Sequence, residues 1–277
     1  MSEVNDFTVH FWGVRGSIAC PGLQTARYGG NTSCLEIRCG EELLIFDAGT
    51  GIRNLAKSLL TNKHLELDLF LTHTHFDHVC GFPFFGPVFK PDTQLRIWSG
   101  HLLPERKIRE VLGFVMTDPL WPIQLEDLPA NISFCDFSEG DVLRPKEDIV
   151  IRTAPLNHPN RATGYRIEFR GRSICYVTDT EHFPDRINGN IIDLIKNSDI
   201  FIYDCTFTDD EYHDHVNWGH STWQEGVKLA NEASVKTFVV FHHNPDHDDD
   251  IMDSIATAVV DARPGSVVAK EGMTLCP

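Results

Sequence analysis

Short apolar runs of strand length alternate with polar, glycine-bearing turns along most of the chain, and this pattern predicts a fold rich in β-strands. Hairpins are predicted where Gly40 and the Gly171-Arg172 pair join neighbouring runs. A further apolar run, residues 238–241, lies near the end of the chain. The other predicted strands are residues 7–12, 33–39, 42–46, 67–71, 94–98, 132–137, 149–154, 164–170 and 173–178.

Apolar residues at helical spacing follow several of these runs. They begin at Ile52, Ile108 and Trp223, and Ser221 with Gln224 fits a capping box ahead of the third helix. Two half-chains, each a run of strands closed by helices, indicate two packed sheets with helices outside, an α/β (α+β) architecture. Since no linker or internal repeat divides the chain, we expect a single domain over residues 1–277.

Composition narrows the class of protein. Apolar residues make up 42% and charged residues 23% of the 277 positions, as in globular rather than disordered proteins. The net charge of −16 disfavours long nucleic acid and acidic membranes as partners, but a small anionic substrate could be drawn in by bound cations. The eight cysteines lack C-x-x-C spacing, which favours reduced thiols and a cytoplasmic location. The amino terminus shows no leader pattern, and no apolar stretch reaches membrane-spanning length.

The strongest chemical signal is a cluster of polar residues just after the predicted strand 67–71. His73, His75, Asp77 and His78 offer imidazole and carboxylate groups, the ligands that suit zinc and similar divalent metals. At the end of a strand such side chains can fan around one point. The alternative is a solvated polar loop with satisfied histidines, but the density of the motif favours a metal site.

Three more polar residues stand at or just after predicted strand ends. His158 lies in a loop between two strands, Asp179 follows the strand 173–178, and His242 follows an apolar run. Each is a weak signal alone, because a single histidine is more often a surface or core residue. Their shared placement favours one common site. His243 competes with His242, which we prefer because it comes first after the strand.

The cluster at residues 73–78 resembles the metal-binding signature of the metallo-β-lactamase superfamily. This resemblance implies a four-layer αββα sandwich with a one- or two-metal site at the sheet edges, and it implies that Asp47 orients the metal loop. Two divalent ions are expected, with zinc first and manganese or iron as alternatives. The implied ligands are His73, His75 and His158 for the first ion, Asp77, His78 and His242 for the second, and Asp179 as a bridge.

Two later motifs resemble the phosphodiesterase branch of this superfamily, which includes ribonuclease Z and phosphoribosyl cyclic phosphate phosphodiesterase. We interpret His220 as the proton donor to the leaving group, supported by the carboxylate of Asp204. Asp77 would orient the attacking hydroxide or accept its proton. The nearby His213 and His215 are interpreted as solvated. The two motifs are Asp204-Cys205-Thr206-Phe207 and Gly219-His220-Ser221-Thr222.

The expected function is hydrolysis of a small cyclic or linear phosphodiester by a hydroxide held between two metals. Only 20 residues separate His158 from Asp179, too few for the exosite arm that ribonuclease Z carries there, which argues against transfer RNA processing. The cysteine-rich zinc site of the phosphoribosyl enzyme has no counterpart in this sequence. The alternatives are hydrolysis of a thioester, lactone or β-lactam at the same dimetal site, and a metal-dependent binding or sensory protein without turnover.

Several segments keep two interpretations. Arg15, Tyr28 and Asn31 lie on glycine-bearing loops, where they contact either a substrate or the loops themselves. The aromatic residues at 82–85 either line the site or pack in the core. The segment 113–127 is predicted to be irregular and apolar, and it is either a lid or a contact in a homodimer. The acidic tract 247–250 is interpreted as solvated surface.

Overall fold

Two mixed β-sheets form the frame of the structure, a computed structural model that describes residues 6–59, 61 and 64–277. Residues 1–5, where the sequence shows no leader pattern, lie outside the described residues. The strands are β1 (Phe7–Gly13), β2 (Cys34–Cys39), β3 (Glu42–Phe46), β4 (Leu65–Leu71), β5 (Thr93–Ser99), β6 (Asn131–Asp136), β7 (Val142–Lys146), β8 (Ile149–Leu156), β9 (Ala162–Phe169), β10 (Arg172–Val177), β11 (Ile200–Asp204), β12 (Thr237–Phe241), β13 (Val267–Val268) and β14 (Thr274–Leu275).

Each sheet combines antiparallel and parallel strands. Within the described residues, the first sheet has the order β14-β1-β2-β3-β4-β5-β6 and the second the order β13-β12-β11-β10-β9-β8-β7. Strands β3 to β6 run parallel to one another, as do β10 to β13, and the other neighbours are antiparallel. Because parallel neighbours end at the same edge, each sheet gathers several carboxyl-terminal strand ends on one side.

Large apolar side chains from both sheets fill the space between them. The Phe46 ring stacks on Phe70 with 5.1 Å between ring centroids, and it meets the edge of Tyr165 from the second sheet at 5.3 Å. Removing rings of this size from water is the main force that holds the two sheets together. The sheets are therefore fixed relative to each other by a packed aromatic core.

Helices cover the outer face of each sheet. They are α1 (Ile52–Leu59), α2 (Phe76–Val79), α3 (Ile108–Val115), α4 (Gly189–Ile195), α5 (Asp209–Tyr212), α6 (Trp223–Glu232) and α7 (Asp249–Ala262). Helices α1 and α3 pack on the first sheet, and α4, α6 and α7 pack on the second. The predicted four-layer αββα sandwich is thereby confirmed. In the part of the chain that the structure describes, no helix combines the length and apolar character needed to cross a membrane.

Two helix ends differ from the sequence prediction. Helix α6 is capped by Thr222, whose hydroxyl accepts the Glu225 amide, so the predicted capping box at Ser221 was wrong by one residue. Ser221 instead accepts a hydrogen bond from the Tyr203 hydroxyl. Helix α3 continues to Val115, past the start of the segment that the sequence left irregular.

The segment 113–127 packs mainly against the outer core of the first sheet. Met116 and Leu125 are buried there, whereas Phe114 and Leu120 point their side chains into solvent. Trp121 meets the Phe84 ring at 4.9 Å between ring centroids. The apolar character of this segment is therefore explained largely by packing within the chain.

The interpretation of the acidic tract 247–250 as solvated surface holds for Asp250, which is exposed, but was wrong for the rest of the tract. The Asp248 side chain caps the first turn of α7. His247 and Asp249 are buried, and Asp249 accepts the backbone amides of residues 27 and 28. The run of acidic residues thus contains a helix start that also anchors a distant loop.

We predict that Phe70→Ala lowers the free energy of unfolding by about 3–5 kcal/mol, because it removes a fully buried ring that stacks on both Phe46 and Trp98. Urea denaturation in the presence of a chelator measures this change. Val142→Ala, at an exposed position of the edge strand β7, is the control and should change the free energy by less than about 0.5 kcal/mol. Equal losses in the two variants would contradict a dominant inter-sheet core.

Candidate metal centre

The ends of four strands bring the predicted site residues to one edge of the sandwich. His73 follows β4 of the first sheet, while His158, Asp179 and His242 follow β8, β10 and β12 of the second. His75, Asp77 and His78 come from the short turn and helix α2 directly after His73. The structure thus brings all seven predicted side chains together, although they are spread over 170 positions of the sequence.

The first group consists of His73, His75 and His158, whose ring nitrogens lie within 4.8 Å of one another. The Nδ1 atom of His75 is 3.0 Å from Nε2 of His158. One carboxylate oxygen of Asp179, Oδ1, lies 3.7 Å from His73 Nε2 and 3.8 Å from His158 Nε2. Three imidazoles and a carboxylate oxygen therefore surround one point.

The second group consists of Asp77, His78 and His242. Asp77 Oδ2 is 3.2 Å from His78 Nε2 and 3.6 Å from His242 Nε2. The other oxygen of Asp179, Oδ2, lies 3.2 Å from each of the same two nitrogens. Asp179 thus offers one oxygen to each group.

The nitrogen atoms that face the centre fit cation ligands. The Nε2 atoms of His73, His78 and His242 are buried without a hydrogen-bond partner in the described residues. Leaving a buried polar atom unpaired is costly, so such atoms call for a ligand. The opposite nitrogens of these rings are engaged, as when a second partner orients a metal ligand. Their Nδ1 atoms lie 3.2 Å from Thr72 Oγ1, 2.9 Å from Asp47 Oδ2 and 2.9 Å from Thr206 Oγ1, respectively.

The carboxylates are held ionised by their surroundings. Burial would raise the pKa of Asp77, but the positive charge of His78 outweighs it and the pKa lies well below the usual range. Burial would likewise raise the pKa of Asp179, but the positive charges of His242 and His78 outweigh burial and hold this pKa well below the usual range. In the absence of metal, the two carboxylates likewise raise the pKa of His78 against the effect of its burial. The site therefore carries negative charge that requires a positive partner.

The three histidines of the first group favour the neutral form. Burial lowers the pKa of His73, His75 and His158, and neighbouring imidazoles add to this effect. A neutral imidazole has the free electron pair that binds a metal ion. The protonation of this group therefore suits metal binding.

Strained backbone marks the same strand ends. Asp47, Asp179 and His242 have φ angles of 61°, 57° and 60°. These angles lie in the left-handed region that residues other than glycine seldom adopt. Each costs on the order of 1 kcal/mol or more, and strain of this kind concentrates at functional sites. Gly16 lies against the ring of His242, where a Cβ atom would come within 2.4 Å. The local backbone is thus shaped to fit the cluster.

His220 lies beside the cluster with its own acidic partner. Its Nδ1 is 2.9 Å from Asp204 Oδ2 and 3.9 Å from Asp179 Oδ1. Burial lowers the pKa of His220, but the charge of Asp204 and its hydrogen bond raise it to about 9. Asp204 also accepts the hydroxyl of Thr206, which contacts His242. One buried carboxylate thereby connects His220 to the second ligand group, as the sequence interpretation of Asp204 predicts.

Asp47 braces the loop that carries the first motif. Its Oδ1 accepts the backbone amide of Thr72 at 2.8 Å, and its Oδ2 accepts the hydroxyl of Tyr176 at 2.8 Å. Thr72 directly precedes His73, so this carboxylate fixes the start of the metal loop. The prediction that Asp47 orients this loop agrees with these contacts.

Sequence reasoning missed several supporting residues. Glu181 accepts the backbone amides of Asn217 and Gly219, and Gly219 O in turn lies 2.8 Å from His158 Nδ1. Asn160 contacts the outer nitrogen of His75 at 3.2 Å. The supporting roles of Thr72 and Thr206 were missed as well, although both residues lie close in sequence to predicted site residues and could have been identified from that position. The sequence holds no such signal for Glu181, because the partners of its carboxylate lie more than 30 residues away.

Other candidates lie outside the cluster. The Arg15 guanidinium is fully buried and donates to the carbonyls of Gly29, Asn244 and His247, so it supports a loop. Tyr28 and Asn31 bond Asp253 and Glu271, which gives them the same structural role.

His243 is buried with Nε2 2.8 Å from Ala269 O, which favours His242 at the centre. Phe82 and Phe85 are core residues, whereas Phe84 is exposed. His213 is mostly exposed, as predicted, but His215 stacks on Phe207 and is only partly solvated.

Comparison with known proteins identifies the family. A family profile described as a beta-lactamase superfamily domain matches residues 43–243, which is well over half of the chain. The αββα sandwich with a buried histidine and aspartate cluster at its strand ends defines a metal-dependent hydrolase that binds divalent ions. The chain belongs to the beta-lactamase superfamily, and the resemblance predicted from residues 73–78 is confirmed.

Individual relatives extend over nearly the whole chain. A ribonuclease Z of Treponema denticola is 21% identical over 93% of this chain and 96% of its own length. A diphosphatase of the PhnP family has a similar structure, with a TM-score of 0.72, 16% identity and 97% of both chains covered. The zinc-bound PqqB of Methylobacterium extorquens has a TM-score of 0.71 and 18% identity, covering 98% of this chain and all of its own. The two structures support the fold.

We predict that Tyr176→Phe lowers the free energy of unfolding by about 1.5–3 kcal/mol, because the buried Asp47 carboxylate loses a donor. Tyr165→Phe is the matched control, since its equally buried hydroxyl donates only to the neutral carbonyl of Leu71 and its loss should cost about 0.5–1.5 kcal/mol. Urea denaturation of both variants in a chelator provides the comparison. A larger loss in Tyr165→Phe would contradict the bracing role of Asp47.

Proposed function

We propose that this protein is a two-metal phosphodiesterase. The observation that carries the proposal is the orientation of Asp179, whose Oδ1 faces His73 and His158 while its Oδ2 faces His78 and His242. A carboxylate placed in this way can be shared between two cations. The first ion would be held by His73, His75 and His158 and the second by Asp77, His78 and His242, with Asp179 common to both.

Two divalent cations bound there would neutralise the charge of a phosphodiester and lower the pKa of water at the site. The side chains of the chain orient the reactants and move protons. Asp77 is fixed by a 2.9 Å hydrogen bond from the Ser17 amide, and its carboxylate can orient the attacking water. His220, on the other side of Asp179, can give a proton to the departing oxygen.

We assign His220 as a proton donor rather than a metal ligand. A second grouping, with His220, His242, Asp179 and Asp204, is compact enough for one ion. In that grouping, however, the nitrogen nearest the acids is the one already bonded to Asp204. The raised pKa of His220 also means that the metal-free ring holds a proton at neutral pH, which is the proton that a donor must supply.

A small diester fits this chain better than transfer RNA. The 20 residues between His158 and Asp179 form the short loop before β9, the two-residue turn to β10 and the strands themselves, so no arm extends from this place. The net charge of −16 also opposes a long polyanion. The names of the relatives, ribonuclease Z and diphosphatase, point to a phosphoryl bond as the target.

Zinc is our first assignment for both ions, since imidazole and carboxylate ligands suit it and one structural neighbour is zinc-bound. Manganese and iron remain the alternatives by ligand chemistry. We place the protein in the cytoplasm, because all eight cysteines are unpaired. Several of these thiols are buried in strands, where they act as small apolar side chains.

We predict that His220→Ala lowers kcat on a phosphodiester by about 10²–10⁴-fold while the metal content stays unchanged, because the variant loses a proton donor and no ligand. Steady-state kinetics and elemental analysis of the same preparation measure both quantities. His215→Ala is the control, since this histidine is in the same loop but stacks on Phe207. Full turnover by His220→Ala would refute the assignment, and loss of metal would make His220 a ligand.

We predict two divalent ions per chain, and we predict that Asp77→Ala loses both metal and turnover, with kcat/KM reduced at least about 100-fold. Elemental analysis coupled to a hydrolysis panel of cyclic nucleotides, linear phosphodiesters, thioesters and lactones tests the proposed function. Asp246→Ala, at an exposed aspartate, is the control. Hydrolysis of thioesters or lactones without hydrolysis of any phosphodiester would reject the proposal.

A further inference from the structure

An apolar cavity of about 470 Å³ lies beside the metal centre and shares Asp77 with it. One wall is the loop that carries Ile18 and Ala19, and the other includes Phe76 and Phe84. Ile18, Phe76 and Phe84 leave 64%, 73% and 53% of their surface in water. Large apolar side chains that remain exposed around a cavity indicate a place where an apolar group binds.

Apart from Arg53 and the exposed Ser17 hydroxyl, the main polar groups in these walls already have partners within the walls. The Thr32 hydroxyl accepts the Thr50 amide at 2.8 Å, and the Thr50 hydroxyl accepts the Thr32 amide at 2.9 Å. One oxygen of Asp77 accepts the Ser17 amide. Sugar hydroxyls and base edges lose their bonds to water on binding and need free partners in exchange. The walls therefore suit a hydrocarbon group better than a nucleoside.

A positive charge stands at the same cavity. Arg53, the second residue of α1, lines it, and its side chain forms no hydrogen bond or ion pair within the described part of the chain. A guanidinium beside apolar walls attracts an anion more strongly than one in open water, and its planar shape matches a carboxylate. The cavity thus combines two apolar walls, one of them aromatic, with a cation that has no partner among the described residues.

We propose that this cavity receives the organic group of the substrate, and that this group is an aromatic ring with an acidic substituent. The proposal rests on the proposed function, since it places the phosphoryl group at the neighbouring metal centre. The ring lies between the loop of Ile18 and the side chain of Phe76, and the acid faces Arg53. The substrate class is then an aryl phosphodiester rather than a nucleotide.

Titration calorimetry with the zinc-loaded protein tests the cavity without requiring turnover. The probes are methyl phosphate, phenyl phosphate and 4-carboxyphenyl phosphate. Burial of the ring should make phenyl phosphate bind at least about 10-fold more tightly than methyl phosphate. The carboxylate should add a further gain of about 3- to 10-fold through Arg53.

Two variants separate the two contributions. Ala19→Phe, at a half-buried position, fills the cavity and should abolish the advantage of phenyl phosphate without changing the affinity for methyl phosphate. Arg53→Gln, at an exposed position, should remove only the gain from the carboxylate, and Arg53→Lys should retain part of it. Circular dichroism shows that each variant is folded.

Equal affinities for methyl and phenyl phosphate, or an undiminished phenyl advantage in Ala19→Phe, would overturn the cavity assignment. An unchanged carboxylate gain in Arg53→Gln would overturn the role of Arg53. Hydrolysis of bis(4-nitrophenyl) phosphate by the same protein tests the proposed function separately. If the expected affinities are found without turnover, the cavity assignment is supported and the phosphodiesterase proposal is rejected. If turnover is found without the expected affinities, the phosphodiesterase proposal is supported and the cavity assignment is rejected.

Discussion

The buried carboxylate of Asp179 is the constraint on which the rest of the site depends. It lies out of water, and its two oxygens face two different groups of imidazoles. A carboxylate in such a place must be compensated by positive charge. The raised pKa of His78 is one sign of that demand, and a pair of bound cations would satisfy it more completely. The ligand geometry and the local electrostatics therefore have the same cause.

The position of Asp179 also makes the site depend on how the two sheets pack. The first sheet supplies His73 through the end of β4, and the second supplies Asp179 through the end of β10. A small shift between the sheets would separate the two groups. The aromatic core prevents this shift, and the Tyr176 hydroxyl of β10 bonds directly to Asp47 at the end of β3. Stability and ligand placement thus depend on the same contacts.

The parts of the fold that could be predicted from the sequence are those decided by neighbouring residues. Strands buried on one or both faces carry a continuous apolar pattern, and β3 has the predicted bounds. Strand β7 was missed because Val142 is exposed at a sheet edge and Pro145 interrupts the pattern. The start of α7 was not predicted, because the acidic residues that cap this helix were interpreted as a charged surface.

The same distinction applies to the site. His73 to His78 could be predicted because four ligand-type residues stand within six positions. His158, Asp179 and His242 are weak signals singly, and only their shared placement after strands, sharpened by the family resemblance, joined them to the site. Glu181 illustrates the limit. Its carboxylate bonds Tyr212 and the amides of Asn217 and Gly219, contacts that exist only after the chain has folded. Positioning residues of this kind leave no local pattern in the sequence.

The loop after β1 shows how support and binding are combined. Buried Arg15 holds it through three carbonyls, and Gly16 leaves room for the His242 ring. The next residue, Ser17, donates its amide to Asp77 and lines the apolar cavity. The segment that would meet the organic part of a substrate therefore also fixes the carboxylate to which we assign the orientation of the water. Because this segment is anchored before a ligand binds, binding does not cost the conformational entropy of ordering the segment. Asp77 is then already in position when a group occupies the cavity.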